Sequence, residues 1–214
     1  MAEINQERRC RGRPQVRSDD ETRQIIFDAA RHEFAGNGYA ATSMETVARR
    51  AGVSTKTLYR LLPNKAALFE GMVVDRLDRF LADVNLHAVD GADIEQALYA
   101  ALMACADLAL DPEVVALQRM VLQETGKFSD VAPTFYRNGP QRTVTALADW
   151  LRLQQQRGLI ALDDIDEAAG MLMGMATSAP QRAAIFGGEP LPQRSEIEAR
   201  LRRCAKLFMR GCRV

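Results

Sequence analysis

A short polar and cationic run, Thr55, Lys56, Thr57, Tyr59 and Arg60, has side chains that could contact DNA. On a helix, Lys56, Tyr59 and Arg60 recur at i, i+3 and i+4 and therefore share one face. Their donors suit base edges in a major groove, and hydroxyl groups suit phosphates. An amphipathic helix in any all-α protein would show the same pattern, so both interpretations stay open at this point.

The residues before this run predict the turn that would position it. Thr42 and Glu45 have the spacing of a capping box, which starts a helix. Gly52 lies where a sharp turn between two helices needs a positive φ, and Ser54 is a suitable N-cap for a helix beginning at about Thr55. The sequence therefore predicts a helix-turn-helix.

Two longer helices should flank this pair. Ser18 and Glu21 form a further capping box and predict a first helix that ends near Gly36. Asn64 can cap a following helix that would begin beside the DNA and end inside the next domain. In its first turn, Lys65 places a cation and free backbone amides where a phosphate could dock. This helix is the expected mechanical link between the two parts of the chain.

Ordered motifs over roughly residues 20 to 70 resemble the DNA-binding domain of TetR/AcrR-type transcriptional regulators. They are Gly38-Tyr39, Thr42-Ser43-Met44, Val47-Ala48, Ala51-Gly52-Val53-Ser54, Thr57-Leu58-Tyr59 and Asn64-Lys65. The chain departs from the family at Leu62, usually aromatic, and at Ala66, commonly acidic. The resemblance implies that the partner is a double-stranded DNA operator. The expected DNA contacts are Thr42, Ser43, Ser54, Thr55, Lys56, Thr57, Tyr59, Arg60 and Lys65.

Residues 1–17 are polar and rich in arginine, and we expect them to be disordered when free. Arg11-Gly12-Arg13-Pro14 resembles an AT-hook, a short segment whose arginines enter the narrow minor groove of A·T-rich DNA. Arg11 and Arg13 are therefore added to the expected DNA contacts. The alternative is a solvated basic tail that adds only non-specific attraction to phosphates.

Charge is divided unevenly along the 214 residues, although the formal net charge is +0. Residues 1–65 hold 12 Lys and Arg against 8 Asp and Glu, a net of +4, and the remainder holds 16 against 20, a net of −4. The positive charge therefore lies at the end predicted to contact DNA.

Compartment signals favour the cytoplasm. The first residues lack the apolar region of a signal peptide, and no apolar run approaches the roughly 18 residues that span a bilayer. Cys10, Cys105, Cys204 and Cys212 are widely separated and include no CxxC pair, as is typical of a reduced compartment. We therefore expect no membrane partner.

The rest of the chain predicts helices at about 93–110, 112–125, 130–157, 164–186 and 195–211. Gly139-Pro140 should kink or split the third of these around Tyr136, and no segment has the period-two alternation of a strand. The predicted fold is all-α. It comprises a disordered basic arm (1–17), a three-helix helix-turn-helix DNA-binding domain (18–65), and a helical effector-binding and dimerisation domain (66–214).

The last predicted helix carries an apolar stripe that could be buried in its own domain or against a second copy. The stripe consists of Ile197, Leu201, Cys204, Ala205 and Phe208. The resemblance favours the second copy, since family members dimerise through their last two long helices. A two-fold protein also suits a pseudo-palindromic operator. We therefore expect a homodimer formed through the last two helices.

By resemblance, the middle helices would enclose a pocket for an unknown small-molecule effector that is apolar or amphipathic. Methionine-rich walls adapt to varied apolar molecules, although each of these residues could simply belong to the core. The predicted pocket residues are Met103, Arg119, Met120, Gln123, Tyr136, Trp150, Met171 and Met175. The run from Arg119 to Glu124 and Phe135-Tyr136 are also similar to the C-terminal domain of the AefR-like branch of the family.

The sequence contains no phosphate-binding loop, no nucleophile beside a base and no metal-ligand cluster. We therefore expect no catalytic residue, metal or cofactor. A cysteine redox sensor is an alternative to inert buried thiols. The predicted function is a transcriptional repressor that an effector releases from its operator. The alternatives are a DNA-binding regulator of the same fold without an effector, and a helical binding protein or enzyme with an incidental helix-turn-helix.

Overall fold

The computed structural model describes residues 17–83 and 93–212, and none of these lies in a strand. The helices are α1 (Asp19–Ala41), α2 (Met44–Ala51), α3 (Thr55–Leu61), α4 (Lys65–Asp83), α5 (Ile94–Ala109), α6 (Pro112–Glu124), α7 (Val131–Asn138), α8 (Pro140–Gln156), α9 (Ile165–Met173), α10 (Ala179–Arg182) and α11 (Arg194–Cys212), with π-helical turns at Gly174–Ser178 and Ala183–Gly187. The all-α prediction is confirmed. Within the described ranges, no helix is long and apolar enough to cross a membrane.

The first helix begins at its predicted capping box but ends later than predicted. Ser18 Oγ accepts a hydrogen bond from Glu21 N at 3.1 Å, and Glu21 Oε2 accepts one from Ser18 N at 2.9 Å. Gly38, with a φ of 80°, kinks the chain, and helical structure resumes as far as Ala41 instead of stopping near Gly36. Only the first boundary of α1 was therefore predicted correctly.

The helix-turn-helix begins one residue after the predicted capping box of Thr42 and Glu45. Ser43 is the N-cap of α2 and exchanges hydrogen bonds with Thr46. Thr42 is only 2% exposed, and its hydroxyl donates to Gly38 O at 2.7 Å. Thr42 therefore closes the end of α1, and its neighbour caps the next helix.

The other predicted turn residues have the expected roles. Gly52 has a left-handed conformation (φ 65°, ψ 30°) between α2 and α3. Ser54 Oγ accepts from Thr57 N at 3.0 Å and caps α3. Asn64 Oδ1 accepts from Ala67 N at 2.8 Å and caps α4. These local interactions fix the orientation of α3 relative to α2 and α4.

One apolar core contains residues of the first four helices, α1, α2, α3 and α4, together with residues of α6 and α7. The aromatic rings of Phe34, Tyr39 and Phe69 lie with their centroids 5.5 to 5.6 Å apart. Met120 of α6 and Phe135 of α7 belong to the same core. A continuous core therefore crosses the domain boundary that we predicted between residues 65 and 66.

Helices α1 and α4 pack tightly at Gly71. A Cβ atom added there would lie 2.9 Å from Cζ of Phe27, closer than carbon atoms pack. Phe27 is only 6% exposed, so its ring is packed on nearly all sides. Glycine is therefore needed at this position for the two backbones to approach.

A second core is formed by α5, α8, α9 and α11. Leu102, Leu147, Leu172 and Leu201, one from each helix, are fully buried within it. The stripe predicted on the last helix therefore packs inside its own subunit, because α11 is held against α5. Leu201, Cys204 and Ala205 are therefore buried within one subunit and are not available to join two copies.

The π-helical turn at Gly174–Ser178 was not predicted, and its hydrogen bonding explains how it is supported. Pro180 has no backbone N–H to donate to Ala176 O, as an α-helix would require. Arg200 of α11 supplies donors instead: its Nε lies 2.9 Å from Ala176 O, and its Nη2 lies 2.6 Å from Met175 O. A side chain from the last helix thus replaces a missing backbone hydrogen bond.

The long predicted segment at 130–157 is split, as expected, but at Gly139 instead of around Tyr136. Gly139 separates α7 from α8, and Pro140 occupies the first turn of α8. Proline is favoured there because the first-turn amides have no intrahelical acceptor.

Candidate nucleic-acid interface and ligand cavity

The outward face of α3 carries three of the expected DNA contacts, Thr55, Lys56 and Tyr59. Fully buried Leu58 anchors the opposite face, while Thr55 and Lys56 are exposed. Tyr59 is 45% exposed, and its hydroxyl donates to Glu45 Oε1 of α2 at 3.2 Å. The helix therefore presents a cation and two hydroxyl groups to solvent, the chemistry that suits a major groove.

Arg60, a fourth expected contact, is engaged within the protein. Its Nη1 and Nη2 donate to the two carboxylate oxygens of Asp19 at 2.8 and 2.7 Å. This hydrogen-bonded cation holds the pKa of Asp19 below its usual value. The pair ties α3 to the first turn of α1. Arg60 would therefore have to leave Asp19 before its Nη1 and Nη2 could both donate to a phosphate.

Lys65 differs most from its predicted role as a phosphate ligand. Its Nζ donates to the backbone oxygens of Tyr39 at 2.7 Å and of Thr42 at 3.0 Å, and it lies 4.5 Å from the centre of the Tyr39 ring. Burial lowers the pKa of this amine. The side chain is turned inward because α1 ends with unpaired carbonyl groups that attract a cation.

Among the remaining expected contacts, Thr42 is only 2% exposed and its hydroxyl is bonded to Gly38 O, so it does not face solvent as predicted. The others fall into two groups. Ser43, Ser54 and Thr57 lie at the N-terminal ends of α2 and α3, where the hydroxyl groups of Ser43 and Ser54 accept capping hydrogen bonds and the hydroxyl of Thr57 is hydrogen-bonded to that of Ser54. The predicted minor-groove residues Arg11 and Arg13 lie outside the described residues. Their part in DNA binding stays a prediction.

A cavity of about 290 Å³ lies within the larger helical part of the subunit, and Arg31 of α1 also lines it. Its volume is near the lower end of small-molecule sites. Most of its wall is apolar, with contributions from α4, α6, α8 and α9. The apolar lining residues include Met72, Val73, Leu77, Leu108, Val114, Leu117, Phe135, Val144 and Met173. Gly170 and Gly174 also line it, and the absence of their side chains leaves space for a ligand.

Polar groups from three helices enter the same wall. Arg31 of α1, Arg76 of α4 and Gln118 of α6 line the cavity, and Arg31 Nη1, Arg76 Nε and Gln118 Oε1 are buried without a hydrogen-bond partner among the described residues. Burial, reinforced by the positive charge of Arg79, lowers the pKa of Arg31, while Glu113 opposes this shift. Such groups orient ligands in otherwise apolar sites.

None of the eight predicted pocket residues lines this cavity. Met103, Met120 and Trp150 are buried in the two cores, and Met175 packs against the second. Tyr136 and Met171 are 59% and 58% exposed, and Gln123 is also exposed. Arg119 Nη2 donates to Ala184 O at 2.6 Å. Large side chains on the middle helices thus identified core and surface positions, because chain order does not reveal which faces leave space between them.

The polar residues that line the cavity were not predicted, although the sequence pattern around Arg76 indicates one of them. Arg76 interrupts the apolar stripe of Met72, Val73 and Leu77 on α4 at helical spacing. A cation inside an apolar stripe is unusual, since burying an unpaired charge is costly. Such an interruption marks a position where the helix faces something other than a closed core.

The thiols and acidic groups suggest no reaction centre in the part of the chain that the structure covers. No three His, Cys, Asp or Glu residues are grouped there to hold a metal ion. Cys105 is 2% exposed, and burial raises its pKa to about 12. Burial also raises the pKa of the Cys204 thiol. Both thiols are therefore poor nucleophiles. Cys10 and the side chain of Cys212 lie outside the described set.

Three apolar side chains project from the last part of the chain into solvent. Met171, Phe186 and Leu207 are 58%, 73% and 62% exposed. Exposed large apolar groups on otherwise packed helices mark a candidate interaction surface.

Two parts of the chain match known protein families. Residues 26–72 match the TetR family of bacterial regulatory proteins, and residues 96–211 match the C-terminal domain of AefR-like transcriptional repressors. The transcriptional regulator YvkB of Bacillus subtilis is 24% identical over 154 residues, which cover 72% of this chain and 78% of YvkB.

Solved structures share the architecture. A Mesorhizobium loti protein assigned to the TetR family superposes with a TM-score of 0.78 at 24% identity, covering 93% of this chain and 100% of its own. The flavonoid-responsive regulator FrrA gives a TM-score of 0.73 at 27% identity, covering 91% and 98%. The helix-turn-helix geometry and the two domain matches lead to one assignment: the chain belongs to the TetR family of bacterial transcriptional regulators, in the group with an AefR-like C-terminal domain.

Proposed function

We propose that this regulator is a homodimeric repressor acting in the cytoplasm, which binds a pseudo-palindromic operator through α3 and is released by a small-molecule effector. The position of the cavity carries this proposal. Arg31 of α1 and Met72 of α4 both line it. A molecule in the cavity would therefore touch the helices that hold the helix-turn-helix.

Internal contacts support movement of the DNA-binding helices as one body. Arg60 joins α3 to α1 through Asp19, and Lys65 joins the start of α4 to the end of α1. A displacement of α1 or α4 would consequently carry α3 with it. Release requires that the effector bind the DNA-incompetent conformation more tightly than the DNA-bound one.

Dimerisation is proposed through the exposed apolar residues of the last helices. Phe186 and Leu207 would be buried between two copies, which explains why such large apolar groups face solvent in one subunit. A two-fold dimer places two recognition helices on successive major grooves, about 34 Å apart.

The relative FrrA supports a small-molecule effector, since its name states that it responds to a flavonoid. The mostly apolar cavity supports an effector with a largely apolar body. A regulator of the same fold that needs no effector is the second candidate, and the buried polar groups without partners in the cavity wall argue against it.

Selection of bound sequences from random DNA tests the DNA half of the proposal. A two-fold symmetric motif is expected, and binding to it should weaken as salt rises. Binding without salt dependence or sequence preference would contradict it.

A deletion of residues 1–17 tests the basic arm. The affinity lost by the deletion is compared on operators with A·T-rich and with G·C-rich flanks, and equal losses on both would rule out binding of the arm in the minor groove.

A compound screen tests the effector half. A true effector should raise the melting temperature and also weaken operator binding, with about 2.7 kcal/mol of stabilisation at a hundred times its Kd. Stabilising compounds that leave operator affinity unchanged would favour the second candidate.

A further inference from the structure

The polar end of the cavity contains more hydrogen-bonding capacity than the protein uses. Arg31 Nη1, Arg76 Nε and Gln118 Oε1 are buried and have no hydrogen-bond partner among the described residues, although Arg31 Nη1 lies 3.8 Å from Asp75 Oδ2 in an ion pair, and all three residues line the cavity. Buried polar atoms are normally satisfied, and leaving a charged one unpaired costs more than leaving a neutral one unpaired. A ligand that completes these bonds would relieve this cost.

The nearby carboxylates are largely committed to other partners. Asp111 Oδ2 accepts from Arg76 Nη2 at 2.9 Å, and Asp75 accepts from Gln24 and Arg79. Glu113 lies 3.8 Å from Arg31 Nε, beyond hydrogen-bonding distance, and it is the only carboxylate among the cavity-lining residues. The cavity wall thus holds two guanidinium groups against one carboxylate.

The excess of positive charge in the cavity wall and the apolar character of the rest of the wall together define a class of ligand. Guanidinium groups favour carboxylates because their N–H donors match the carboxylate oxygens. The rest of the wall, with Met72, Leu117 and Met173, suits a hydrocarbon or aromatic body. Resting on the function proposed above, we propose that the effector is an apolar monocarboxylic acid whose carboxylate binds Arg31 and Arg76 and which also offers a donor to Gln118.

This assignment also gives the regulatory step. Arg31 belongs to α1 and is ion-paired with Asp28 of the same helix, with Asp75 of α4 at 3.8 Å and with Glu113 of α6 at 3.8 Å. A ligand carboxylate competes with Asp75 and Glu113 for this guanidinium. Binding therefore weakens the links from α1 to α4 and α6, and the helix-turn-helix region is freed to shift.

Paired probes test the proposal on the full-length protein. The probes are octanoate, cinnamate, 4-hydroxycinnamate and 2-naphthoate, each compared with its primary amide, which keeps the body and removes the charge. At least one acid should raise the melting temperature and weaken operator binding, while its amide does neither. If an amide and its acid act equally, the carboxylate assignment is overturned and the effector function stands.

Side-chain variants locate the binding. Arg76→Gln should lower the affinity for the stabilising acid about 10- to 100-fold, as expected for the loss of a hydrogen bond to a charged group. Arg79→Gln is the matched control: it removes a cation from the same helix and charge network without touching the cavity wall, so its loss of affinity should be clearly smaller than that of Arg76→Gln. Arg31→Lys keeps the positive charge and tests residue 31 if larger substitutions there prevent folding. This variant should bind the acid more weakly without losing binding altogether.

Two further results would overturn the assignment. One is the absence of stabilisation by every acid in the set, and the other is equal loss of affinity in the Arg76 and Arg79 variants. Operator binding measured without any probe is independent of both results. Failure of this inference is therefore distinguishable from failure of the proposed repressor function.

Discussion

At the scale of single residues, α3 and the first turn of α4 carry some side chains that face solvent and others that are held by contacts within the protein. Lys56 is exposed and Tyr59 is nearly half exposed, whereas Arg60 is paired with Asp19 and Lys65 is turned inward. The first two are therefore the best candidates for direct contact with DNA. The last two hold the recognition helix in place.

Lys56→Ala and Tyr59→Ala should each weaken operator binding about tenfold, as expected for the loss of one base or phosphate contact. Helix content and oligomeric state should not change, because both side chains are on the surface. Fluorescence anisotropy with a labelled operator measures the effect. Lys127→Ala and Tyr136→Ala, at exposed positions elsewhere, are the matched controls; losses as large in these would show that the recognition face lies elsewhere.

Cys105 should resist alkylation in the native protein. With a pKa of about 12, its thiolate is scarce at neutral and mildly basic pH, and the side chain is 2% exposed. Peptide mass spectrometry after iodoacetamide treatment should find this cysteine unmodified until denaturant is added. Rapid labelling of Cys105 without denaturant would revive the redox-sensor interpretation.

At the scale of elements, two long-range contacts hold segments that local sequence alone would not stabilise. Arg200 donates to the carbonyl groups of Met175 and Ala176, the second of which Pro180 leaves without its α-helical donor. Glu33 of α1 forms a salt bridge with Arg50 of α2 at 2.5 Å, and this bond lowers the pKa of Glu33. One contact shapes the cavity wall, and the other braces the helix-turn-helix.

Arg200→Ala should lower the free energy of unfolding by about 1–3 kcal/mol, the cost of leaving buried carbonyl groups unsatisfied. Denaturant unfolding measures this loss. Arg203→Ala removes an exposed arginine from the same helix and should have little effect. Equal losses in the two variants would mean that general charge on α11, and not the bond to the π-helical turn, is responsible.

Glu33→Gln should cost stability at neutral pH and progressively less as the solution is acidified. Because the folded pKa of Glu33 is lowered below 4.5, the native state binds its proton less readily than the unfolded state. The stabilisation is therefore present above the unfolded pKa and is lost as pH falls through the folded one. Unfolding curves from neutral pH to about pH 3 should converge for the two proteins, whereas exposed Glu189→Gln should match the native protein throughout. A constant difference at every pH would refute this role.

At the scale of the whole molecule, the proposed dimer depends on residues that the apolar stripe did not predict. The stripe of Leu201 and Cys204 lies inside the subunit, and Phe186 and Leu207 face outward instead. The interface therefore has to be tested at the outward positions.

Phe186→Asp and Leu207→Asp should each shift the protein from dimer to monomer and weaken operator binding, since burying an unpaired carboxylate in an interface is costly. Sedimentation velocity and circular dichroism together distinguish dissociation from unfolding. Leu159→Asp, at a position 45% exposed after α8, is the control and should remain dimeric. A persistent dimer in both test variants would place the interface elsewhere.

The parts of the fold that were predicted depend on local chemistry. Gly52 and Ser54 could be placed from sequence because a left-handed turn and an N-cap involve only residues within three positions. The shift from Thr42 to Ser43 arose because both can cap a helix, and only tertiary burial decides between them. The inward orientation of Lys65 and the cavity could not be predicted, since they depend on α1 and α4 meeting across many residues of chain.

The tight contact between Gly71 of α4 and Phe27 of α1 couples the positions of these two helices. Since even one methyl group cannot fit between α1 and α4 at this point, no small displacement of α4 toward α1 can be absorbed there. Substitution by alanine would insert a permanent wedge into that contact. Because α1 and α4 hold the helix-turn-helix, such a variant should bind the operator more weakly, and a genetic selection for unregulated expression would be expected to recover it.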